Sequence, residues 1–243
     1  MRFTALVFGG LCLIGAASAD AGVISLNFTT SGNFGNINAA ASTMAPDETA
    51  GVVAAANWNN SVAVNAGSVG PLVDDSGAGT TASVSYGGGQ ANWGNDHAPA
   101  TGDARMMIGM YGNGAKSPEV TFSLVPYSSY DVYVYVVQGS FGGTGVHTIT
   151  ANGGSTEYVR HQGWSGSFVE SDWTTSADTA PTGNYVKFSG LTGSTLVIAD
   201  TFTGDGGITG IQIVEAAAAV PEPASMAVLG LAGLAVLTRR RRA

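Results

Sequence analysis

Cysteine is nearly missing from this chain: Cys12 is the only one among 243 residues. It follows Leu11, lies too early for lipoprotein processing and belongs to an apolar N-terminal run, so the rest of the chain holds no disulfide framework and no cysteine-ligated metal. Charge is also scarce, at 11% Asp, Glu, Lys and Arg, and basic residues are the scarcest. Between residues 22 and 219, fifteen acidic residues face Arg105, Lys116, Arg160 and Lys187, an excess of eleven negative charges. Such a body repels nucleic acid and anionic headgroups and tolerates divalent cations and neutral polymers. The three histidines, His97, His147 and His161, form neither an HExxH nor a His-x-His pair. Phosphate-binding glycine motifs are missing, and Gly163-Trp164-Ser165-Gly166 is one residue short of a nucleophile elbow. Apolar residues at helical spacing are missing as well.

Period-two alternation takes their place. Ile24, Leu26 and Phe28 share one face of a first segment, and Ala82, Val84 and Tyr86 share one face of another. Val120, Phe122 and Leu124 repeat the pattern, as do Val186 with Phe188, Leu196 with Ile198 and Phe202, and Ile211 with Ile213. Tyr130–Gln138 is apolar on both faces, which predicts a central strand covered on both sides. Gly87-Gly88-Gly89, Asn152-Gly153-Gly154 and Gly204-Asp205-Gly206-Gly207 end strands and turn the chain. The expectation is an all-β domain over residues 22–215, about ten short strands in a two-sheet antiparallel sandwich of jelly-roll or galactose-binding-like form. Gly32 to Gly51 reads as a long loop or a helical turn at Pro46-Asp47-Glu48. His147, within Val146–Thr150, is expected to face solvent or a neighbouring threonine.

Both ends are addresses. Arg2, an apolar run from Phe3 to Gly15, and the small-residue sites Ala17-Ser18-Ala19 and Ala19-Asp20-Ala21 make residues 1–21 a signal peptide. Residues 216–223 form a linker ending in Val220-Pro221-Glu222-Pro223, which the two prolines keep extended and outside any sheet. Residues 224–243 hold an apolar run to Thr238 and then Arg239, Arg240, Arg241 and Arg242. As a helix that run spans about 22 Å of a roughly 30 Å hydrocarbon core, and the arginines mark its cytoplasmic end.

This order of proline-flanked glutamate, apolar helix and arginine cluster resembles the PEP-CTERM sorting signal of exported bacterial proteins. The resemblance implies recognition of Pro221, Glu222 and Pro223 by an exosortase-type transpeptidase. It also implies passage through the inner membrane, removal of the tail, and a final place in the cell envelope or outside the cell. Four phrases of the body are similar to a domain of exported planctomycete-type proteins, with a galactose-binding-like pattern. They are Gly51 to Asn60 (with Asn57-Trp58-Asn59-Asn60), Tyr130-Asp131-Val132-Tyr133-Val134-Tyr135, Gly183 to Phe188 and Ile208 to Val214. That likeness carries no catalytic motif.

Aromatic residues in polar surroundings are the candidates for ligand contact. Asn92-Trp93-Gly94-Asn95-Asp96-His97 and Arg160-His161-Gln162-Gly163-Trp164 pair an indole with amides, carboxylate or imidazole, the composition that stacks and hydrogen-bonds a sugar ring. Trp93, Asp96, His97, His161, Trp164 and Trp173 are the expected contacts, while Trp58 is expected to plug a sheet end. Asp74-Asp75 offers oxygen ligands for Ca²⁺ but lacks alternating acid spacing, so a solvated turn is the simpler expectation and no cofactor is assigned. Asp96, Asp103, Glu157, Glu170 and Asp172 are not placed by sequence into the facing pair that glycoside hydrolysis needs. Three functions follow in order: a structural or adhesive surface protein within polysaccharide, a carbohydrate-binding module, and, last, a hydrolase. An exposed aromatic pair rimmed by amides would favour the module.

Overall fold

The computed structural model of the protein describes residues 22–61, 65–90, 93–112 and 117–216. The signal peptide, the proline motif, the apolar helix and the arginine cluster lie outside the described residues. Among the described residues no helix is long and apolar enough to cross a membrane.

The strands, in chain order, are β1 (Val23–Phe28), β2 (Asn33–Phe34), β3 (Ile37–Asn38), β4 (Asn59–Ser61), β5 (Gly67–Val69), β6 (Ser83–Gly87), β7 (Trp93–Gly94) and β8 (Gly109–Gly112). They continue with β9 (Glu119–Ser123), β10 (Tyr130–Gln138), β11 (Val146–Ala151), β12 (Thr156–His161), β13 (Thr182–Gly183), β14 (Tyr185–Leu191), β15 (Thr195–Phe202) and β16 (Gly206–Glu215). Two short helices, α1 (Ala39–Ser42) and α2 (Gly102–Met106), are capped by Asn38 and Thr101, whose side chains accept from Ala41 and Ala104 amides. One sheet runs β14-β10-β16-β1-β4, with β8 on β16 and β7 on β8. The other runs β13-β12-β11-β15-β9-β6-β5, and β2 and β3 form a separate two-stranded sheet.

Alternation explains how the sheets meet. Ile24, Leu26, Phe28, Val132, Val134, Ile211 and Ile213 of the first sheet pack on Val84, Phe122, Ile149, Val159, Leu196 and Ile198 of the second, all buried. The opposite face of β10 is covered too: Tyr135 and Val137 join Met44, Trp58, Met106, Met107, Met110 and Tyr185 in a separate apolar cluster. That is the two-sided burial expected of Tyr130–Gln138. The cover comes from the loops around α1 and α2, with Trp93, Trp164 and Phe168 packed at the cluster's margin.

Three expectations change. The strands number more than ten, because several are two- or three-residue pairings too short to show a period. The sheets are not purely antiparallel, since β1 pairs with β4 and β12 with β13 in parallel, each through a long connection. Gly32 to Gly51 is not a plain loop: it contains the β2–β3 hairpin and α1 before its turn at Pro46-Asp47. Register shifts by one residue between β10 and β16, where Thr209 is extra, and its hydroxyl rests on the sulfurs of Met106 and Met107.

Candidate functional site

The segment Trp93–His97 is the keystone of one end of the sandwich. A Cβ on Gly94 would drive into the Ile108 carbonyl, so glycine here lets β7 lie close against the chain entering β8, where Trp93 pairs with Met110. One residue on, Asn95 donates to the Gln138 carbonyl (2.7 Å), and Asp96 reaches in two directions. Its carboxylate accepts from the Asn36 amide (2.8 Å) and fills the place of a Gly35 Cβ, clamping the β2–β3 turn. Its own amide donates to the Ser140 hydroxyl (2.8 Å), and Ser140 donates in turn to the Gly94 carbonyl. Asp96 therefore ties the hairpin carrying Phe34 to the loop carrying Phe141.

Those two phenylalanines stand in solvent, at 58% and 68% exposure, although rings of that size are ordinarily buried. Their centroids are 6.5 Å apart, and Trp93 meets Phe141 edge-on at 4.9 Å. With Ser31, Asn33 and Ile37 they line a cleft of about 530 Å³. A polar recess of about 350 Å³ adjoins it at Phe34, lined by Asn95, Asp96, Gln138 and Ser140. The arrangement is an aromatic platform with an amide, hydroxyl and carboxylate rim. Such a surface can hold a ligand with apolar faces and hydroxylated edges.

The loop bearing Phe141, Gly139 to Gly145, is held from below. Asp205 accepts from the Phe141 amide (3.1 Å), and its carboxylate occupies the space that a Gly139 Cβ would need. Burial pushes this carboxyl above its ordinary value, against the Phe141 hydrogen bond. The Gly143 carbonyl accepts from Gln138 Nε2 (2.9 Å) and faces His161 Nε2 at 3.1 Å. Behind His161 runs a buried chain: His161 Nδ1 to His147 Nε2 at 3.0 Å, and His147 Nδ1 to Asp200 Oδ2 at 2.7 Å. His147 also stacks on Phe202. His147 therefore does not face solvent or a threonine. It points into the sandwich because its strand phase matches Ile149 and Ala151, and a carboxylate waits there to bond it.

Both sequence segments singled out for aromatics converge here. Gly163 lies against Asn95, and Trp164 leans toward His97 at 6.4 Å between ring centroids. His97 Nδ1 and Nε2 face two acceptors, Asn95 Oδ1 (2.8 Å) and the Ala104 carbonyl (2.6 Å), so the ring satisfies both only as the imidazolium. Burial pushes its pKa down, while the Ala104 carbonyl and Asp96 pull it back. Trp164 and Trp93 are half-buried on the second apolar cluster, and His161 is buried beneath the loop. Trp173 sits apart, with its indole donating to the Ser176 carbonyl and its amide to Glu157, whose carboxyl burial pushes up. Glu170 accepts from the Tyr185 hydroxyl, Asp103 from the Gly51 amide, and Asp172 is exposed. Asp74 Oδ1 accepts from Ser76 and Ala78 within its own turn, and Asp75 from the Val23 amide. Among the described residues no group of three or more His, Cys, Asp or Glu converges as a metal site. Trp58 is buried and bonded to the Ala55 carbonyl, the plug expected of it.

Comparison with known proteins bears on the opposite end of the chain. Residues 219–242 match the PEP-CTERM protein-sorting motif. The chain carries an exosortase sorting signal. The PEP-CTERM match takes in Pro221, Glu222, Pro223 and Arg239 to Arg242, and it indicates an exported, membrane-transiting protein processed by an exosortase-type enzyme. No curated protein and no solved structure matches the chain.

Two groups of residues escape a reading of the sequence. Phe34, on the two-residue β2, and Phe141, in a loop, each sit between glycines and small polar residues, where no long strand signals a ring. Asp200 holds the inward phase between Ile198 and Phe202, and His161 holds it after Val159. Polar residues in the apolar phase of adjacent strands are the signal that would have revealed the buried chain.

Proposed function

We propose that this exported PEP-CTERM protein is a non-enzymatic β-sandwich that holds a neutral surface glycan on Phe34, Phe141 and Trp93 after it leaves the cytoplasm. One observation carries the reading: two large rings stand open to solvent beside a rim of Asn33, Asn95, Asp96, Gln138 and Ser140. The C–H faces of a pyranose stack on aromatic rings, and its hydroxyls suit amide and carboxylate partners. The acidic body supports a neutral polymer over an anionic one. The resemblance of the body's strand phrases to a galactose-binding-like pattern supports the same class, and an adhesive or structural role in surface polysaccharide is what such holding would serve. The single carboxylate of the rim, Asp96, is already engaged by Asn36, which supports binding over hydrolysis.

The test is a neutral-polysaccharide array probed with the full chain in detergent, beside Phe34→Ala and Phe141→Ala variants. Binding that both variants lose supports the proposal. Binding that both retain, or a parent that binds no neutral glycan, removes it. Concentration-dependent light scattering abolished by the same variants would instead assign the platform to self-association.

A further inference from the structure

The buried Asp200–His147–His161 chain ends on the loop that presents Phe141, and its proton inventory is constrained by geometry. Three hydrogen bonds run in series from Asp200 to the Gly143 carbonyl, and each needs one proton. Three protons among Asp200, His147 and His161 leave the group neutral as a whole. His161 Nε2 donates to Gly143, and a single proton lies between His161 Nδ1 and His147 Nε2. A fourth proton would set an N–H of His161 against the N–H of His147 at 3.0 Å, with no acceptor between them.

The imidazole has little room to turn away. A Cβ at Gly145 or at Gly206 would collide with the His161 ring, so backbone packs directly on it from both sides. Movement of His161 is movement of Gly143–Gly145 or of Gly204–Gly206. Asp205, in the second of these segments, holds the other half of the loop through the Phe141 amide and the Gly139 contact. The titratable and charged groups facing His161 are His147 on β11, backed by Asp200 on β15, and Arg160 on its own strand. Asp96 and His97 border the site from the β7 side.

We propose that Gly139–Gly145 is an acid-sensitive latch: protonation drives the His161 ring off His147, and the loop that His161 holds through Gly143, and Asp205 through Phe141, shifts with it. The proposal rests on the glycan-site reading only for what the latch would let go. Burial, and then the charge of His147, push His161 down to about 4, so the device acts in acid and leaves the loop fixed at neutral pH. Protonation of Asp205 weakens the second hold in the same direction, because a neutral carboxyl is the poorer acceptor for the Phe141 amide.

The experiment is an NMR titration of the full chain in detergent, without ligand, from neutral pH to below the His161 value. The imidazole nitrogens of His161, the amides of Phe141 and Gly143 and the Trp93 indole are followed together, with far-UV circular dichroism to confirm the fold. The latch predicts that the Phe141, Gly143 and Trp93 signals shift in step with His161 while the dichroism is unchanged. A His161→Gln/Asp205→Asn variant keeps hydrogen-bonding groups at both holds but removes the titration, so the coupled step should vanish. The idea is overturned if His161 titrates and the loop signals stay still, or if the double variant keeps the step. Should the variant not fold, the parent titration decides alone. A coupled step in a protein that binds no glycan would remove the glycan reading and leave the latch standing.

Discussion

Replacing Phe28 with alanine should separate the two sheets' contribution from that of any single strand. Phe28 ends β1 fully buried, stacked on Tyr111 of its own sheet at 4.9 Å and meeting Tyr86 of the facing sheet edge-on at 5.4 Å. Tyr86 and Tyr111 touch each other at 5.1 Å, so the three rings form one unit spanning the sandwich. Neither neighbour is free to fall into the gap, because the Tyr111 hydroxyl is fixed by the Gly89 amide and the Asn65 carbonyl, and the Tyr86 hydroxyl by Ser61. An unrelaxed cavity of this kind puts Phe28→Ala at about 3–5 kcal/mol. For a domain of this size each kcal/mol lowers Tm by roughly 2–4 °C. The expected drop is therefore roughly 6–20 °C, a large share of a total stability of about 5–15 kcal/mol. Phe28→Leu refills most of the volume and should lose less than about 1.5 kcal/mol. Thermal melts by circular dichroism, with urea midpoints as a second measure, decide it. A Phe28→Ala protein that melts alongside Phe28→Leu would refute the rigid three-ring contact.

Val134→Asp should prevent folding, because the side chain lies at the centre of the sandwich and an unpaired buried charge is worth several kcal/mol; a soluble, cooperatively melting variant would count against the central place of β10. His161 is held near 4 when folded against an ordinary 6.5, so the unfolded chain takes up the proton first. Its contribution is then full above about 6.5 and is lost as pH falls toward 4, and the urea midpoint of the parent should drop over that window more steeply than that of His161→Gln. Equal slopes would show that the ring is not kept neutral by burial. Trp93→Ala should lower both melting temperature and ligand binding, since the indole borders the second apolar cluster as well as the cleft; loss of binding with unchanged melting would place it wholly in the site. Alanines at Pro221, Glu222 and Pro223 should leave an uncleaved, membrane-retained precursor by mass spectrometry, and normal processing would remove the motif from sorting.

Legibility followed the length of the signal. Tyr130–Gln138 could be read as a central strand because nine residues of period two, apolar on both faces, leave no other place for it. The same alternation marks β1, β6, β9, β15 and β16, except that Leu124, expected beside Val120 and Phe122, lies past the end of β9 and is exposed. The β2–β3 hairpin and β7 were invisible since two residues cannot display a period, and their positions come from Asp96 clamping the Gly35 turn. The candidate site was half legible: Trp93, Asp96, His97 and Trp164 do gather, whereas Trp173 belongs to a different surface. Phe34 and Phe141 give no signal because each lies in a glycine-rich stretch that reads as a linker. The inward place of His147 is hidden because its partner, Asp200, is 53 residues away and reaches it only through the β11–β15 register.

We propose that an exposed aromatic platform, not the packed interior, meets the ligand. A Phe34→Ala/Phe141→Ala double variant addresses it most directly, through melting temperature and affinity for a neutral oligosaccharide that the parent binds. Both rings are mostly solvent-exposed, so melting should hardly change, while loss of two stacking faces should weaken binding at least about tenfold, the effect of roughly 1.4 kcal/mol. Undiminished affinity in a normally folded double variant would show that the two rings do not hold the ligand.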